Sequence, residues 1–317
     1  MSVVDTLPLV QQYLSQYGIT TYLILGSIGL FLNIAYFTQP AYRDKSFSLY
    51  IVAMSICGLL GLYISTVPII YALHNPDPLT YNAFFCAIQF YLRHSFNELL
   101  RTFFVLACAD RYASSSTQAK IRRFSQYKVA IRVIPSVLLF WFIVSIFPTM
   151  MRTLDKGVCD ARSGVIHTVY AIYILMSLGI FPLTGSSVFA ILLIKNMKSI
   201  RQRIHPTITL EPEPHNLRKR DRDMLRMLLV ELIGYILTTI PNTVIQIYKS
   251  AAANVVKTKD RLAIENFTIY LAQIFLLYLT NTLSFWVFLS ASQTYRTELK
   301  NMLIRWYRFI TRQRINQ

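Results

Sequence analysis

Long apolar segments recur along this chain of 317 residues, and they restrict its fold more than any other feature. Hydrophobic residues make up 54% of the sequence. Several runs approach or exceed the roughly 20 residues that span the apolar core of a bilayer. In lipid only helices and closed barrels satisfy every backbone hydrogen bond, and these runs are too long and too continuously apolar for barrel strands. The sequence therefore predicts an all-α membrane protein.

Seven segments are predicted to cross the membrane, and the third is the most polar of them. They lie near residues 20–38, 48–73, 82–110, 128–151, 164–194, 224–248 and 264–291. This division predicts a short extracellular N-terminus at 1–19, a seven-transmembrane domain at 20–291 and a cytoplasmic segment at 292–317. No cleavable signal peptide is expected, because the first apolar stretch lacks a basic leader and a small-residue cleavage site.

Lysine and arginine are distributed unevenly among the predicted loops. Of the 32 basic residues, 23 fall in alternate connections, at 38–47, 111–132, 195–226 and 292–317. The positive-inside rule places these connections in the cytoplasm, which puts the N-terminus outside and the C-terminus inside. The net charge of +17 predicts attraction to anionic lipid of the inner leaflet. Nucleic-acid binding is not expected, because the basic residues are spread over loop ends.

The C-terminal stretch 293–312 predicts a basic amphipathic helix along the inner membrane surface. Its apolar residues recur at helical spacing: Tyr295, Leu299, Met302, Leu303, Trp306, Phe309 and Ile310. Arginine and lysine, including Arg296 and Lys300, fill much of the remainder. Packing against a soluble partner protein is the alternative interpretation.

The triplet Asp110-Arg111-Tyr112 falls at the inner end of the third segment. An Arg at such a position needs a partner for its charge. Asp221, at the inner start of the sixth segment, is one candidate. A pair between Arg111 and Asp221 that forms in one state and breaks in another would act as a switch. Ordinary surface charges at two helix ends are the alternative.

Two of the four cysteines are predicted to face the extracellular side. Cys86 begins the third segment, and Cys159 lies in the loop between the fourth and fifth. The oxidising compartment permits a disulfide, which would tether that loop over the mouth of the bundle. Two free thiols are the alternative. Cys57 and Cys108 fall inside segments and are predicted to be packing residues.

An ordered set of residues resembles the rhodopsin-like family of G-protein-coupled receptors over nearly the whole chain. The matching positions are Asn33, Cys86, Asp110-Arg111-Tyr112, Trp141, Cys159, Pro182, Pro241 and Tyr295-Arg296. The resemblance implies a plasma-membrane receptor in which an extracellular ligand moves the sixth helix outward and activates a heterotrimeric G protein. Bends at Pro182 and Pro241 would permit that movement. The general pattern suggests a small-peptide receptor, such as a neuropeptide receptor, or a chemoreceptor.

Several family positions are altered. The second segment contains no Asp or Glu, so sodium modulation is not expected. Thr238-Thr239-Ile240-Pro241 replaces the usual Cys-Trp-x-Pro, so no Trp acts as a toggle. The Asn-Pro-x-x-Tyr motif is degenerate, and its best match is Ser284-Phe285-Trp286-Val287-Phe288. Signalling through the bundle would therefore depend on other side chains.

Polar residues of the third segment define the predicted ligand pocket. Arg93 precedes Arg111 by 18 residues, or about five helical turns, so the two share a face, and Asn97 lies near it. Amine receptors of the family place an Asp where Arg93 stands, so a carboxylate or an acidic peptide residue is expected instead. Arg93 snorkelling to the interface or pairing with a loop acid is the alternative. Further pocket candidates are His94, Gln246, Tyr248, Tyr270 and Gln273.

Arg101 lies deeper in the predicted membrane region and therefore requires an acidic partner. Glu98, one turn away, and Glu231, in the sixth segment, are the candidates. A structural ion pair is the preferred interpretation, and direct contact with a ligand is the alternative. Asn266-Phe267-Thr268 matches the N-glycosylation pattern, although it lies close to the predicted membrane.

The sequence lacks the patterns of several other functions. No Lys lies between Lys259 and Lys300, so the seventh segment cannot form a retinal Schiff base. The five His residues show no metal-ligand spacing, and neither a phosphate-binding loop nor a Ser/His/Asp arrangement is visible. No enzymatic activity, metal or cofactor is therefore predicted. A non-signalling seven-span transporter or lipid-binding membrane protein remains the alternative to a receptor.

Overall fold

The computed structural model describes residues 3–155, 157–162, 164–203, 215–252, 255 and 257–315, and helices dominate it. The helices of the first half are α1 (Val3–Tyr13), α2 (Thr20–Phe37), α3 (Ser46–Ala72), α4 (Pro78–Tyr81), α5 (Ala83–Ser115), α6 (Ala119–Arg122), α7 (Tyr127–Val144) and α8 (Ile146–Met150). Strands β1 (Arg152–Asp155) and β2 (Val158–Ala161) follow. The second half contains α9 (Val165–Ile174), α10 (Phe181–Arg203), α11 (His215–Ala251), α12 (Lys259–Tyr270), α13 (Leu277–Ala291) and α14 (Gln293–Ile315).

Within the described residues, six helical stretches are long and apolar enough to cross a membrane. They are Val4–Phe37, Ser46–Ala72, Tyr127–Met150, Val165–Lys198, Asp223–Lys249 and Lys259–Ala291. These stretches cover all but at most one residue of the first, second, fourth, fifth, sixth and seventh predicted segments. The third predicted segment coincides with α5, whose polar residues keep it outside this apolar set.

The first predicted membrane segment begins at residue 20, but the helix that contains it begins much earlier in the chain. Helix runs without interruption from Val3 to Phe37 through a π-helical segment, Leu14–Ile19. α1 packs along α12, and the Ser15 and Tyr270 hydroxyls are hydrogen-bonded at 2.7 Å. The segment 1–19, predicted only as a short terminus, is therefore largely a helical extension. Hydropathy did not predict this extension, because its polar residues interrupt any continuous apolar run.

α5 is the central helix of the bundle and packs against α3, α7 and α10. The Asn82 side chain caps its start by accepting a hydrogen bond from the Phe85 amide at 3.0 Å. Its buried side chains include polar and charged residues along most of its length: Gln89, His94, Ser95, Asn97, Glu98, Arg101 and Asp110. Polar groups of α5 therefore point towards protein, where partners are available.

One short β hairpin departs from the otherwise helical fold that the sequence predicts. β1 and β2 form an antiparallel hairpin in the connection between α8 and α9, with Asp155 opposite Val158. Gly157, just before β2, has a φ of 76°, which glycine adopts without a Cβ clash. The strands are four residues each, too short to produce a clear alternating pattern. We call this end of the bundle the hairpin end, and the opposite end the Arg111 end.

Aromatic side chains fill the core at the Arg111 end, where Phe37, Phe47, Phe288 and Tyr295 are at most 1% exposed. The Tyr295 hydroxyl donates to Asn33 Oδ1 at 2.6 Å, which fixes the start of α14 to α2. Further along α14, Leu299 and Met302 are also buried. A second group of its apolar residues stays exposed, at Leu303, Trp306, Tyr307 and Phe309. One apolar stripe of α14 therefore packs on the bundle, and another remains free of it.

Candidate functional site

Asp110 and Arg111 form an ion pair at the end of α5. Arg111 Nη2 lies 2.7 Å from Asp110 Oδ2, and Nε donates to the same oxygen at 3.2 Å. Ser46, the first residue of α3, donates to Asp110 Oδ1 at 2.5 Å. The Arg111 guanidinium also lies over the Phe47 ring, 4.7 Å from its centroid. α3 therefore holds both members of the pair in place.

The other side of Arg111 faces α11. Arg111 Nη1 contacts the sulfur of Met224 at 3.6 Å. The predicted second partner, Asp221, lies outside the residues whose side chains the structure describes. Asp223 accepts a hydrogen bond from the Thr294 hydroxyl at 2.5 Å and so joins α11 to α14. The Tyr112 ring packs 6.1 Å from that of Phe189 on α10, apart from this group.

A disulfide joins Cys86 to Cys159 and ties the β hairpin to the start of α5. The two cysteines are 73 residues apart, so the bridge closes a long loop of chain. Cys57 and Cys108 are buried free thiols. The hairpin is therefore held across the hairpin end of the bundle, as the cysteine positions predicted.

Replacing both Cys86 and Cys159 with Ser is expected to lower the free energy of unfolding by about 2–5 kcal/mol, because the unfolded chain regains loop entropy. Thermal unfolding of the purified protein measures the change. Cys108→Ala, which removes a free thiol, is the matched control and should cause a clearly smaller loss. Equal unfolding temperatures for the double variant and the native chain would contradict a structural role for the bridge.

Beneath the hairpin lies a cavity of about 240 Å³, formed by residues of α5, α9 and α11, the hairpin and the helix that leads into α13. Five of the predicted pocket residues line it: Arg93, His94, Asn97, Gln246 and Gln273. Arg101, predicted as a structural residue, also reaches the cavity. Most of the pocket residues predicted from the sequence therefore lie around one cavity.

Two predicted pocket residues lie elsewhere. The Tyr248 hydroxyl is 2.5 Å from Glu265 Oε1, and Arg261 and Lys257 bind the same carboxylate. Tyr270 bonds to Ser15, beside the extension at the start of the chain. Both tyrosines were assigned from their depth in the sixth and seventh segments, and depth alone does not define which helix face they occupy.

Arg93 points into the cavity without a carboxylate partner among the described residues. Its Nη1 donates to the Tyr278 hydroxyl at 2.9 Å, and its guanidinium carbon lies 5.6 Å from the centroid of the Phe90 ring. The neighbouring His94 Nε2 is 3.0 Å from the Tyr173 hydroxyl. Within the part of the chain that the structure describes, the loop-acid pairing considered for Arg93 is not formed.

The hairpin contributes a cation that the sequence pattern missed. Arg152, the first residue of β1, lines the cavity and donates to the Tyr170 hydroxyl at 3.1 Å and to the Cys159 carbonyl. Its guanidinium carbon is 4.4 Å from the Phe90 ring centroid. The sequence offered one indication of this role: Arg152 lies in the same loop as Cys159, which the disulfide tethers to α5.

Lys249 and Asp160, also missed, pair at 3.6 Å on the cavity wall. Burial raises the pKa of the Asp160 carboxyl, but Lys249, the Ala161 amide and Arg152 outweigh it and hold that pKa below its ordinary value. A lowered carboxyl pKa adds stability above the ordinary carboxyl range, and that stability disappears only as the pH falls through the lowered value. The pair therefore persists at neutral pH.

Arg101 and Glu98 form a buried ion pair on the deep side of the cavity. Arg101 Nη1 lies 3.3 Å from Glu98 Oε1, and the two side chains are 4% and 1% exposed. His94 Nδ1 is 3.9 Å from the same oxygen. Glu231, the other acid considered for Arg101, instead accepts a hydrogen bond from the Ser284 hydroxyl. Of the two candidates, the structure therefore pairs Arg101 with Glu98.

Buried polar contacts near this ion pair include Thr238, a residue of the altered motif in the sixth segment. Asn281 donates to Asn97 Oδ1 at 2.9 Å, which joins α13 to α5. The Thr280 hydroxyl donates to that of Thr238 at 2.7 Å, which joins α13 to α11. These buried contacts connect three helices without the missing Trp. The sequence contained the residues but gave no indication of their pairing.

The two predicted bend prolines lie inside long helices. Pro182 is the second residue of α10, and α10 directly follows a π-helical segment, Leu175–Ile180. Such a segment accommodates an interrupted hydrogen-bond ladder. Pro241 lies within α11, where its missing amide leaves the carbonyl four residues earlier without its usual donor. Both remain candidates for the bends.

Asn266 is exposed on α12, in a groove that α1 shares. The hydroxyl of Thr268, the third residue of the glycosylation pattern, donates to the Ile264 carbonyl at 2.8 Å within the helix. The pattern therefore lies on a regular helix rather than in an accessible loop.

A tethered hairpin covers one end of the helical bundle, and an Asp-Arg pair lies at the far end of its central helix. Residues 31–284 match the family model described as the 7 transmembrane receptor (rhodopsin family). The chain belongs to this family and is a multi-pass plasma-membrane protein of the G-protein-coupled receptor type, a class that is generally non-enzymatic. A comparison with curated proteins gave no match.

Proposed function

We infer that the chain is a seven-span receptor that binds an extracellular ligand with an acidic group and activates a heterotrimeric G protein. In this proposal α5 also crosses the membrane, which brings the six apolar stretches to seven crossings; in chain order it is the third. Its 33 residues extend for about 50 Å, more than the roughly 30 Å of a bilayer core. Its low hydropathy is explained by polar side chains that find partners inside the bundle.

The proposed orientation puts the hairpin end outside and the Arg111 end in the cytoplasm. The excess of basic residues in the connections on the Arg111 side supports it. A disulfide on the hairpin side agrees with an oxidising compartment there. α14 then lies at the inner leaflet, where Arg296 and Lys300 would face anionic headgroups and the exposed Trp306 and Phe309 would enter the lipid.

The ligand assignment depends on one observation: Arg93 faces the cavity with no described carboxylate to neutralise it. A ligand amine would be repelled there, whereas a carboxylate of a small molecule or a peptide can accept two parallel hydrogen bonds from a guanidinium. Arg152, which lines the same cavity and lies over the same Phe90 ring, favours the same sign of ligand charge. This cavity is the proposed ligand site.

The Arg111 end is the proposed contact for the G protein. Arg111 lies between the Asp110 carboxylate and Met224 of α11, so an outward movement of α11 would remove one of its contacts. A half-buried arginine held by its own neighbour is suited to a two-state element. When the cytoplasmic side opens, Arg111 would therefore lose its contacts with Met224 and Asp110 together.

Guanine-nucleotide exchange on a purified heterotrimeric G protein tests this proposal. The receptor is reconstituted in lipid vesicles and compared with Arg111→Ala at equal receptor content. We expect the native chain to accelerate exchange over empty vesicles and the variant to lose that acceleration. Equal exchange with empty vesicles, native receptor and variant, across the main G-protein classes, would favour the transporter or lipid-binding alternative.

A further inference from the structure

The cavity under the hairpin contains more positive than negative charge, and two of its four cations have a carboxylate partner. Among the described lining residues, the cationic side chains are Arg93, Arg101, Arg152 and Lys249. Arg101 is neutralised by Glu98 at 3.3 Å. Lys249 pairs with Asp160 at 3.6 Å, and Arg152 interacts electrostatically with the same carboxylate without a direct ion pair to it. Four cations and two carboxylates leave an excess of two positive charges, and Arg93 and Arg152 are the two cations without a direct carboxylate contact.

Arg93 and Arg152 have only neutral hydrogen-bond partners among the described residues. Arg93 donates to the Tyr278 hydroxyl, and Arg152 donates to the Tyr170 hydroxyl and a backbone carbonyl. Their guanidinium carbons lie 5.6 Å and 4.4 Å from the centroid of one ring, that of Phe90, so the two cations are neighbours. Neighbouring cations in a partly buried site repel each other unless an anion lies between or beside them.

The unpartnered buried polar atoms of the lining point to the same ligand chemistry. Three such atoms are found among the described lining residues: Arg101 Nε, Arg152 Nε and Gln273 Nε2. All three are hydrogen-bond donors, and none of the unpartnered buried atoms in this lining is an acceptor. Because buried donors without partners are unfavourable, the site is complementary to a group rich in acceptor oxygens.

We propose that this cavity binds a compact dianionic group, with one negative charge directed at Arg93 and one at Arg152. The inference rests on the proposed ligand site and adds the charge and size of what occupies it. The cavity of about 240 Å³ is smaller than the roughly 300–1,000 Å³ of typical ligand pockets, so the group is small or is the acidic end of a longer molecule. A short dicarboxylate and a phosphate monoester share this chemistry.

Ligand-induced thermal stabilisation of the purified receptor in nanodiscs tests the dianion. The probes are succinate, glutarate and phenyl phosphate, each titrated at constant ionic strength. Succinamate, which has the shape of succinate with one charge fewer, is the matched monoanion, and succinamide is the neutral control. We expect at least one dianion to raise the unfolding temperature in a saturable manner. Its apparent Kd should be about tenfold lower than that of its monoanion. Stabilisation by succinate or glutarate would indicate a dicarboxylate ligand, and stabilisation by phenyl phosphate would indicate a phosphate monoester.

Matched variants link the effect to the two cations that have no direct carboxylate contact. Arg93→Gln and Arg152→Gln are each expected to weaken dianion binding about tenfold, because each removes one charge-assisted contact. Lys249→Gln is the control, since it removes a cavity cation that already has a carboxylate partner, and it should weaken binding much less. Unfolding without ligand verifies that each variant is folded. Equal loss in all three variants would reduce the effect to general electrostatic attraction and overturn the assignment.

Absence of stabilisation by every dianion, or equal affinity for succinate and succinamate, would also overturn the inference. Nucleotide exchange distinguishes this failure from failure of the proposed function. Exchange activity that depends on Arg111 without dianion binding would refute only the ligand assignment. Dianion binding without any exchange would leave the assignment standing and refute the signalling role.

Discussion

Replacing Asp110 with Asn is expected to raise ligand-independent nucleotide exchange about tenfold, within the range of typical allosteric coupling energies. The Asp110 carboxylate holds Arg111 through two contacts, at 2.7 and 3.2 Å, and is itself fixed by Ser46. Asparagine preserves the size of the side chain but removes its charge. Arg111 would then be free to leave its position against Phe47 and Met224. Exchange on purified G protein, normalised to receptor content, measures the effect.

Two further variants make this result interpretable. The double variant Asp110→Asn with Arg111→Ala should lose the elevated exchange, because the released arginine is the group proposed to contact the G protein. Arg43→Ala removes a basic residue from an exposed pair with Asp44, whose side chains are 66% and 75% exposed, and should leave exchange unchanged. Native levels of exchange in a well-folded Asp110→Asn variant would show that the ion pair does not restrain the active state.

Arg101→Ala is expected to destabilise the protein by about 3–5 kcal/mol and to lower its yield at the cell surface, because it leaves the Glu98 carboxylate buried and unpaired. Both side chains of this pair are at most 4% exposed, so the Glu98 carboxylate stays largely removed from bulk water after the substitution. Thermal unfolding of the purified receptor and surface labelling of intact cells measure the two effects.

The double variant Arg101→Gln with Glu98→Gln should recover much of the lost stability, because two amides can bond to each other without a buried charge. Arg43→Ala, at an exposed pair, should change stability by less than about 1 kcal/mol. Normal yield of Arg101→Ala with a lost response to an anionic ligand would reverse the assignment. Arg101 would then act mainly through ligand contact.

The third helix shows both the reach and the limit of prediction from this sequence. Its register was predictable, since the spacing of Arg93 and Arg111 placed the first in the cavity and the second at the far end. Its hydropathy was misleading, because residues such as Glu98 and Arg101 neutralise each other inside the bundle. Hydropathy records each residue separately and cannot register such pairing.

Contacts between distant parts of the chain were the least predictable features. The extension at Val3–Tyr13 is recognisable only from its packing on α12. Arg152 enters the cavity because a hairpin and a disulfide fold its loop inwards, and neither alone fixes the direction of the side chain. Tyr248 shows the opposite case, since its helix depth was right but its hydroxyl faces Glu265.

The claim on which the others depend is that α5 crosses the membrane and connects an extracellular cavity to a cytoplasmic ion pair. Single cysteines at Asn75→Cys and Thr117→Cys, both exposed positions flanking this helix, test it with a membrane-impermeant maleimide. The native chain is the control, since its free thiols at Cys57 and Cys108 are buried. We predict labelling of Asn75→Cys on intact cells and of Thr117→Cys only after permeabilisation. Labelling of both variants from the same side would contradict the account.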